Sequence, residues 1–349
     1  MTEQLGAVLD NPVPAITLAE AEALARDAFG LAGTVRPLTA ERDRNFLLTT
    51  GDGRDYAMRV INAAEDPAVS DFQSRALMHA AAADPALPVP RLHPPLAGSS
   101  PEAVWQPADG GAPCRVRVLD YLPGRPLYQT APDRAQRTAI GQCLARLDAA
   151  LAGFRHPAES HVLLWDIQRA LQLRGAAAQL PDPEDRGLAL GVLDRFERHA
   201  LPGLGDLRPQ VIHNDFNPHN ILADAVDDRR ITGIIDFGDM VRAPLVQDLA
   251  TAAAYSLAPE GHPLEGPAQL IAAFDAACPL WEEELEVLAD LIATRCAVSV
   301  VISGWRALRQ PENADYILRN YPRSLSGLRR MGALPRQDAQ TYLREALGR

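Results

Sequence analysis

Residues 211–239 read VIHNDFNPHNILADAVDDRRITGIIDFGD. His213 and Asp215 form a His-x-Asp pair, Asn220 lies five residues beyond that Asp, and an Asp-Phe-Gly follows at Asp236, Phe237 and Gly238. Val211 and Ile212 lead into the first loop, Ile221 and Leu222 leave it, and the β-branched run 231–235 returns. Apolar runs of this kind bounded by turn residues read as strands. Asp227-Asp228 supplies a turn between them. One short hairpin therefore holds Asn220 at its start and Asp236 at its end.

That set of groups suits phosphoryl transfer. The transferred group needs a metal to spread its charge, and Mg²⁺ takes hard oxygen ligands from one or two side chains plus nucleotide phosphates. Asn220 and Asp236 offer such oxygens. The acceptor hydroxyl needs a carboxylate to orient it and take its proton, a role that fits Asp215. The spacing matches the kinase pattern H-R-D-x-x-x-x-N followed by D-F-G, with Asn214 in place of the Arg. Other readings are open for single residues. His213 reads as a buried loop-shaping residue, and His213, Asp215 and His219 together could ligate a transition metal in a hydrolase. The hydrolase reading leaves Asn220 and the Asp-Phe-Gly without a task.

HNDFNPHNIL followed by IDFGD resembles the aminoglycoside phosphotransferase and choline kinase-like family. Three further segments resemble its hydroxylysine kinase branch: ERDRNFLL (41–48), VRVLDYLPGRPL (116–127) and PENADYILRNYP (311–322). The resemblance spans roughly residues 30–330. It implies an α+β, two-lobe protein-kinase-like fold, with a small antiparallel-sheet N-lobe (1–120) that binds nucleotide and a larger helical C-lobe (121–349) with the catalytic loop and acceptor pocket. It also implies that Asp120 and Leu122 lie in the hinge, where backbone groups bond the nucleobase, and that an Asp on the helix after the catalytic stretch, Asp248, ties down the loop backbone.

Composition agrees with a globular enzyme. The chain has 349 residues, 47% of them hydrophobic, which excludes a disordered chain. Net charge is −11, which disfavours nucleic-acid binding through a basic face. No apolar run reaches the length of a membrane span and no signal peptide is expected. Cys114, Cys143, Cys278 and Cys296 lack C-x-x-C spacing and read as reduced thiols of a cytoplasmic protein.

Thr17 and Glu20 make a capping box that starts a helix to Phe29 after a loose lead-in over 1–16, and Gly30 and Gly33 end it. Strands are expected over 34–40, 45–50 and 55–61, with Gly51-Asp-Gly53 as a hairpin turn. The first hairpin, 41–45, stands where a kinase covers the phosphates. It has no glycine, and Asn45 is expected to fix it by side-chain to backbone bonds; an ordinary polar turn is the other reading. Arg59 stands where a kinase has its phosphate-binding Lys and can grip phosphate bidentately. On the helix 68–83, Gln73 takes the place of the usual Glu, so an Arg59–Gln73 hydrogen bond is expected. A surface Arg on an edge strand is the alternative.

Helices are expected over 134–151, 163–180, 186–199, 243–255 and 282–308. Asp239 either binds a substrate ammonium or caps the next segment. Trp165, Trp305 and Tyr316 lie in the region that builds the acceptor pocket in relatives, and an aromatic face beside a carboxylate suits an ammonium; core packing is the ordinary fate of each. The expected chemistry is γ-phosphoryl transfer from ATP or GTP, with Mg²⁺, to a hydroxylated amine or amino acid, hydroxylysine-like first. Homoserine, choline, ethanolamine, a sugar or an aminoglycoside are alternative acceptors. A non-catalytic nucleotide-binding regulatory module is the reading of another class. A homodimer is compatible with all of these.

Overall fold

The structure, a computed structural model, describes residues 11–40 and 42–349. Glu41 of the first hairpin and the start of the lead-in lie outside the described residues. The chain forms two compact units. The first holds the chain up to Pro123 together with residues 154–161 and 233–238; the second holds 124–153, 162–232 and 239–349.

In the first unit, helix α1 (Leu18–Phe29) begins at the expected capping box and ends on Gly30 at φ 70°. The antiparallel strands β1 (Gly33–Leu38), β2 (Arg44–Thr50), β3 (Asp55–Val60), β4 (Leu92–His93), β5 (Ala103–Trp105) and β6 (Cys114–Asp120) follow, with order β1-β2-β3-β6-β4 and β5 also on β6. Register sorts the side chains by face. Phe46 lies opposite Met58, and Met58 opposite Val118, all fully buried in a core shared with Ala21, Ala25 and Phe29 of α1. Paired residues point to the same face and neighbours to opposite ones. The row one residue along, Asn45–Arg59–Arg117, therefore occupies the other face. Helix α2 (Pro67–Ala83) meets that face with polar groups, as Arg117 donates to Ser74 and Gln73.

The second unit opens with β7 (Arg125–Pro126), which pairs with β9 (Ile221–Ala223), itself paired with β10 (Ile231–Ile234), and β8 (Pro209–Ile212) pairs with β11 (Val241–Pro244). Helix α3 (Arg134–Leu151) runs as expected. Gly141 lets it approach its neighbour, because a Cβ there would meet the Leu270 carbonyl at 2.2 Å. Between 163 and 180 the expected helix is replaced by a 3-10 stretch, Ile167–Leu173, and the short helix Arg174–Ala177. Helix α4 (Pro183–His199) starts three residues before the expected 186, since Pro at the first helical position loses no hydrogen bond and Asp182 caps it. The expected helix 243–255 divides into the end of β11 and helix α5 (Leu245–Ala254). Helices α6 (Glu265–Ala277), α7 (Glu282–Arg309), α8 (Tyr321–Ala333) and α9 (Arg336–Ala346) complete the unit. The central α7 has 28 residues and spans about 42 Å.

All four cysteines are free thiols. Among the described residues no helix is long and apolar enough to cross a membrane.

Candidate active site

Strand β8 delivers the chain into the His-Asn-Asp loop, which one carboxylate holds from below. Asp248 on α5 accepts from the backbone N–H of His213 and of Asn214, each at 2.8 Å, the bonds expected of it. Asn214 takes φ 64°, a left-handed conformation that Asn tolerates better than most residues, and its side-chain oxygen accepts from Gln247 at 2.9 Å. Beneath Asp248 lies Asp148 of α3. Burial raises both carboxyls, and that of Asp148 goes well above the ordinary range. Asp248 already accepts two backbone N–H groups, so the shared proton resides on Asp148, which donates it to Asp248.

Asp215 is held at both oxygens. Oδ1 accepts from the Arg295 guanidinium at 2.8 Å, and Oδ2 accepts from Asn217 Nδ2 at 2.8 Å and Asn220 Nδ2 at 2.7 Å. Asn220 Nδ2 also donates to the Asp215 carbonyl at 3.0 Å, so the amide nitrogen of Asn220 faces Asp215. Arg295 comes from the middle of α7 and its side chain is only 2% exposed. It donates to the Trp165 carbonyl and the Tyr255 hydroxyl and lies over both rings, at 5.7 and 5.8 Å. Burial works against its charge, but Tyr255, Asp215 and Asp239 together hold its pKa above the ordinary arginine value. Nothing in the reading of 211–239 pointed to Arg295. The available signal was a lone cation inside the apolar run LIATRCAVSVV, since a buried charge needs a partner.

In the first unit, Arg59 is shared by two carboxylates. Its Nε donates to Asp43, and NH1 donates to Asp236 at 3.2 Å. Burial opposes both the Arg59 and the Asp43 charge; the ion pair outweighs it, raising Arg59 and lowering Asp43. The expected Arg59–Gln73 bond is not formed. Gln73 Oε1 accepts from Arg117 at 2.7 Å, and its Nε2 donates to the Gly238 carbonyl at 2.8 Å. Arg117 stands directly across from Arg59 and takes Gln73 first. Burial, then the adjacent Arg59, brings the Arg117 pKa down to about 10. Asp236 adopts φ 60°, and a Cβ at Gly238 would crowd Asp236 Oδ1 at 3.1 Å and Arg59 NH2 at 3.5 Å. The strand leading there is anchored by Ile234 N–H donating to the Pro88 carbonyl.

Asn45 lies in β2 opposite Arg59 rather than in the loop, and its Oδ1 is buried without a hydrogen-bond partner among the described residues. The fixing role expected of it belongs to Asn62. The Asn62 amide donates to Asp43 Oδ1, and its side chain donates to the Arg42 carbonyl. Asp120 ends β6, bonded by His93 Nε2 and the Arg91 amide; Leu122 follows two residues on.

The expected acceptor-side residues divide. Trp165 and Asp239 belong with Arg295, the first by contact and the second by its field. Trp305 lies ten residues further along α7, about 15 Å along the axis. It stacks with Arg309 at 4.6 Å, and Tyr316 stacks with Arg319 at 4.4 Å. Among the described residues no group of three or more His, Cys, Asp and Glu is placed to hold a metal.

These features define a class before they define a substrate. The profile of the phosphotransferase enzyme family matches residues 34–287, and the chain belongs to that family. It is a small-molecule phosphotransferase with an alcohol group as acceptor. Similar curated proteins are hydroxylysine kinases. That of Mus musculus is 28% identical over 329 residues, covering 87% of this chain and 86% of its own, and that of Danio rerio is 27% identical over 325 residues, covering 89% and 90%. Among solved structures, a microcompartment-associated aminopropanol kinase aligns with TM-score 0.69 at 20% identity, covering 95% of this chain and 99% of its own. Amicoumacin kinase in complex with AMP-PNP and Ca²⁺ aligns with TM-score 0.66 at 12% identity, covering 97% and 99%. These likenesses show the protein-kinase-like fold.

Proposed function

We propose that this phosphotransferase moves the γ-phosphoryl of ATP or GTP to a hydroxyl of a hydroxylated amine or amino acid, hydroxylysine-like first, in the cytoplasm. The observation that carries the reading is the Asp215 carboxylate. It is fixed at both oxygens by Arg295, Asn217 and Asn220, at the end of a loop held by Asp248. A carboxylate so fixed orients an acceptor hydroxyl and takes its proton as the oxygen bonds to phosphorus and the nucleotide diphosphate leaves. Most of the rate enhancement in such transfer is positioning and electrostatics.

Asn220 and Asp236 are the residues we assign to Mg²⁺. The Asn220 oxygen and the Asp236 carboxylate are the hard oxygens it prefers, with nucleotide phosphates completing its shell. It would neutralise phosphate charge. Arg59 holds phosphates, Asn45 lies beside it, and the backbone at Asp120 and Leu122 bonds the base. Asp239 and Trp165 face the acceptor amine, with Trp305 and Tyr316 further out. Hydroxylysine kinases among the curated relatives favour an amino-acid acceptor, whereas the aminopropanol kinase fold neighbour keeps amino alcohols in view. A regulatory module has no chemical use for the Asp215 arrangement.

Nucleotide consumption measured over hydroxylysine, homoserine, aminopropanol, choline and an aminoglycoside tests the acceptor. Asp215→Asn should lower turnover at least about 10²-fold with nucleotide affinity held, the scale of a positioned base. A variant that keeps most of its turnover removes Asp215 from this role.

A further inference from the structure

The late segment PENADYILRNYP, followed by Arg323, comes back to the catalytic loop. His219, four residues after Asp215, stacks on Tyr128 with ring centroids 4.3 Å apart, and the Asn320 side chain lies close to it. Its amide donates to Asn217, which in turn donates to Asp215. Arginines surround this ring. Arg319 and Arg323 lie within electrostatic reach of His219, and Arg137 and the Tyr255 hydroxyl lie within reach of Arg323. Tyr255 also accepts from Arg295, the partner of Asp215.

These cations lack the usual neutralisation. Acidic residues outnumber basic ones 45 to 34 in this chain, and arginine–carboxylate pairs are common across its surface. Yet among the described residues no carboxylate pairs with Arg137, Arg319 or Arg323. Arg137 donates only to the neutral Gln269, and its Nε is buried without a partner. Arg319 stacks on Tyr316. Arg323 stands in the first turn of α8, where the helix field disfavours a cation and no acidic residue offsets it. Arg319 and Arg323 are exposed and Arg137 is half-buried, so their guanidiniums are open to an anion from solvent.

Building on the kinase reading above, we propose that Arg323, with Arg319 and Arg137, forms a subsite for the carboxylate of the acceptor, so that the enzyme is built for hydroxylated amino acids rather than simple amino alcohols. Arginine forks match a carboxylate in shape and charge. The other anion such a group would suit is a nucleotide phosphate, and the test separates the two.

Steady-state kinetics with hydroxylysine and with its primary carboxamide, which keeps the shape and loses the charge, would be compared for wild type and Arg323→Gln. Arg319→Gln serves as a second variant with the same expectation. Nucleotide affinity is measured by calorimetry without acceptor. Wild type should favour the acid by about tenfold or more in kcat/KM, expressed in KM, as expected for a hydrogen bond to a charged group. Each variant should erase most of that preference while nucleotide affinity holds. A wild type indifferent to the carboxylate overturns the subsite, as does a variant that slows both acceptors alike. Weaker nucleotide binding by the variants would assign the cations to phosphate instead. Turnover of amino alcohols alone leaves the kinase standing and removes the subsite. If no acceptor drives nucleotide consumption, the kinase reading fails and the subsite fails with it.

Discussion

Around Arg59 a single guanidinium serves two carboxylates, Asp43 and Asp236, and its side chain is 24% exposed. Around Asp215 the arrangement is inverted: one carboxylate is served by one guanidinium and two amides, and that guanidinium is 2% exposed. The first group is a half-open cation between two carboxylates, with Arg117 alongside. The second is closed, which suits a side chain whose direction must not change. Each unit therefore applies the same ion-pair chemistry to a different end, loading in one and aiming in the other.

The largest effect should come from breaking the closed group. Arg295→Met leaves Asp215 without its cation, and removing one member of a buried pair costs several kcal/mol. Because Asp215 is 18% exposed and keeps two amide donors, about 3 kcal/mol is expected, the low end of that range, read from denaturant midpoints. Turnover should fall with it. Adding Asp215→Asn should recover part of the stability, since the two sites share one interaction. A loss under about 1 kcal/mol would put the pair among ordinary surface bridges and erase the contrast.

A middle-sized effect tests the open group. Asp43→Asn removes the charge that sets the Nε edge of Arg59, and nucleotide affinity should weaken about tenfold, the scale of a charge-assisted hydrogen bond. Gln73→Leu leaves both Arg59 partners in place and should weaken it less. Calorimetry that ranks the two variants the other way would return the orienting role to α2.

The smallest effect lies under the loop. The Asp148 carboxyl is raised by burial and then by Asp248, so the folded state binds a proton the unfolded chain releases. Stability from this group is fully present below the ordinary carboxylate range and is lost as pH rises from there toward the raised value. Asp148→Asn should flatten that slope in unfolding experiments across pH and be neutral or stabilising near pH 7. A pronounced loss of stability at neutral pH would show that Asp148 carries charge.

The reading of 211–239 located the loop, the hairpin and the Asp-Phe-Gly because turn residues, β-branched runs and fixed spacing are local. Asp248 was legible only through the family resemblance, which puts an Asp on the following helix. Arg295 was not, since α7 lies eighty residues from Asp215 and periodicity shows only that a helix side is buried, not what it faces. The Arg59–Gln73 expectation failed on register. Spacing gives a helix after a strand, but only the β3–β6 pairing places Arg117 beside Arg59, where it captures Gln73. The segment 163–180 read as a helix because its apolar content is right, and tertiary packing drew it into a 3-10 turn instead.

The left-handed backbone at Asn214 and Asp236 narrows the alphabet at both positions. The bulky arginine that the H-R-D pattern has in place of Asn214 would incur both a backbone penalty and the burial of a charge in a space already closed by Gln247. An asparagine meets both constraints at once: it tolerates the left-handed backbone and stays neutral in the closed space beside Gln247.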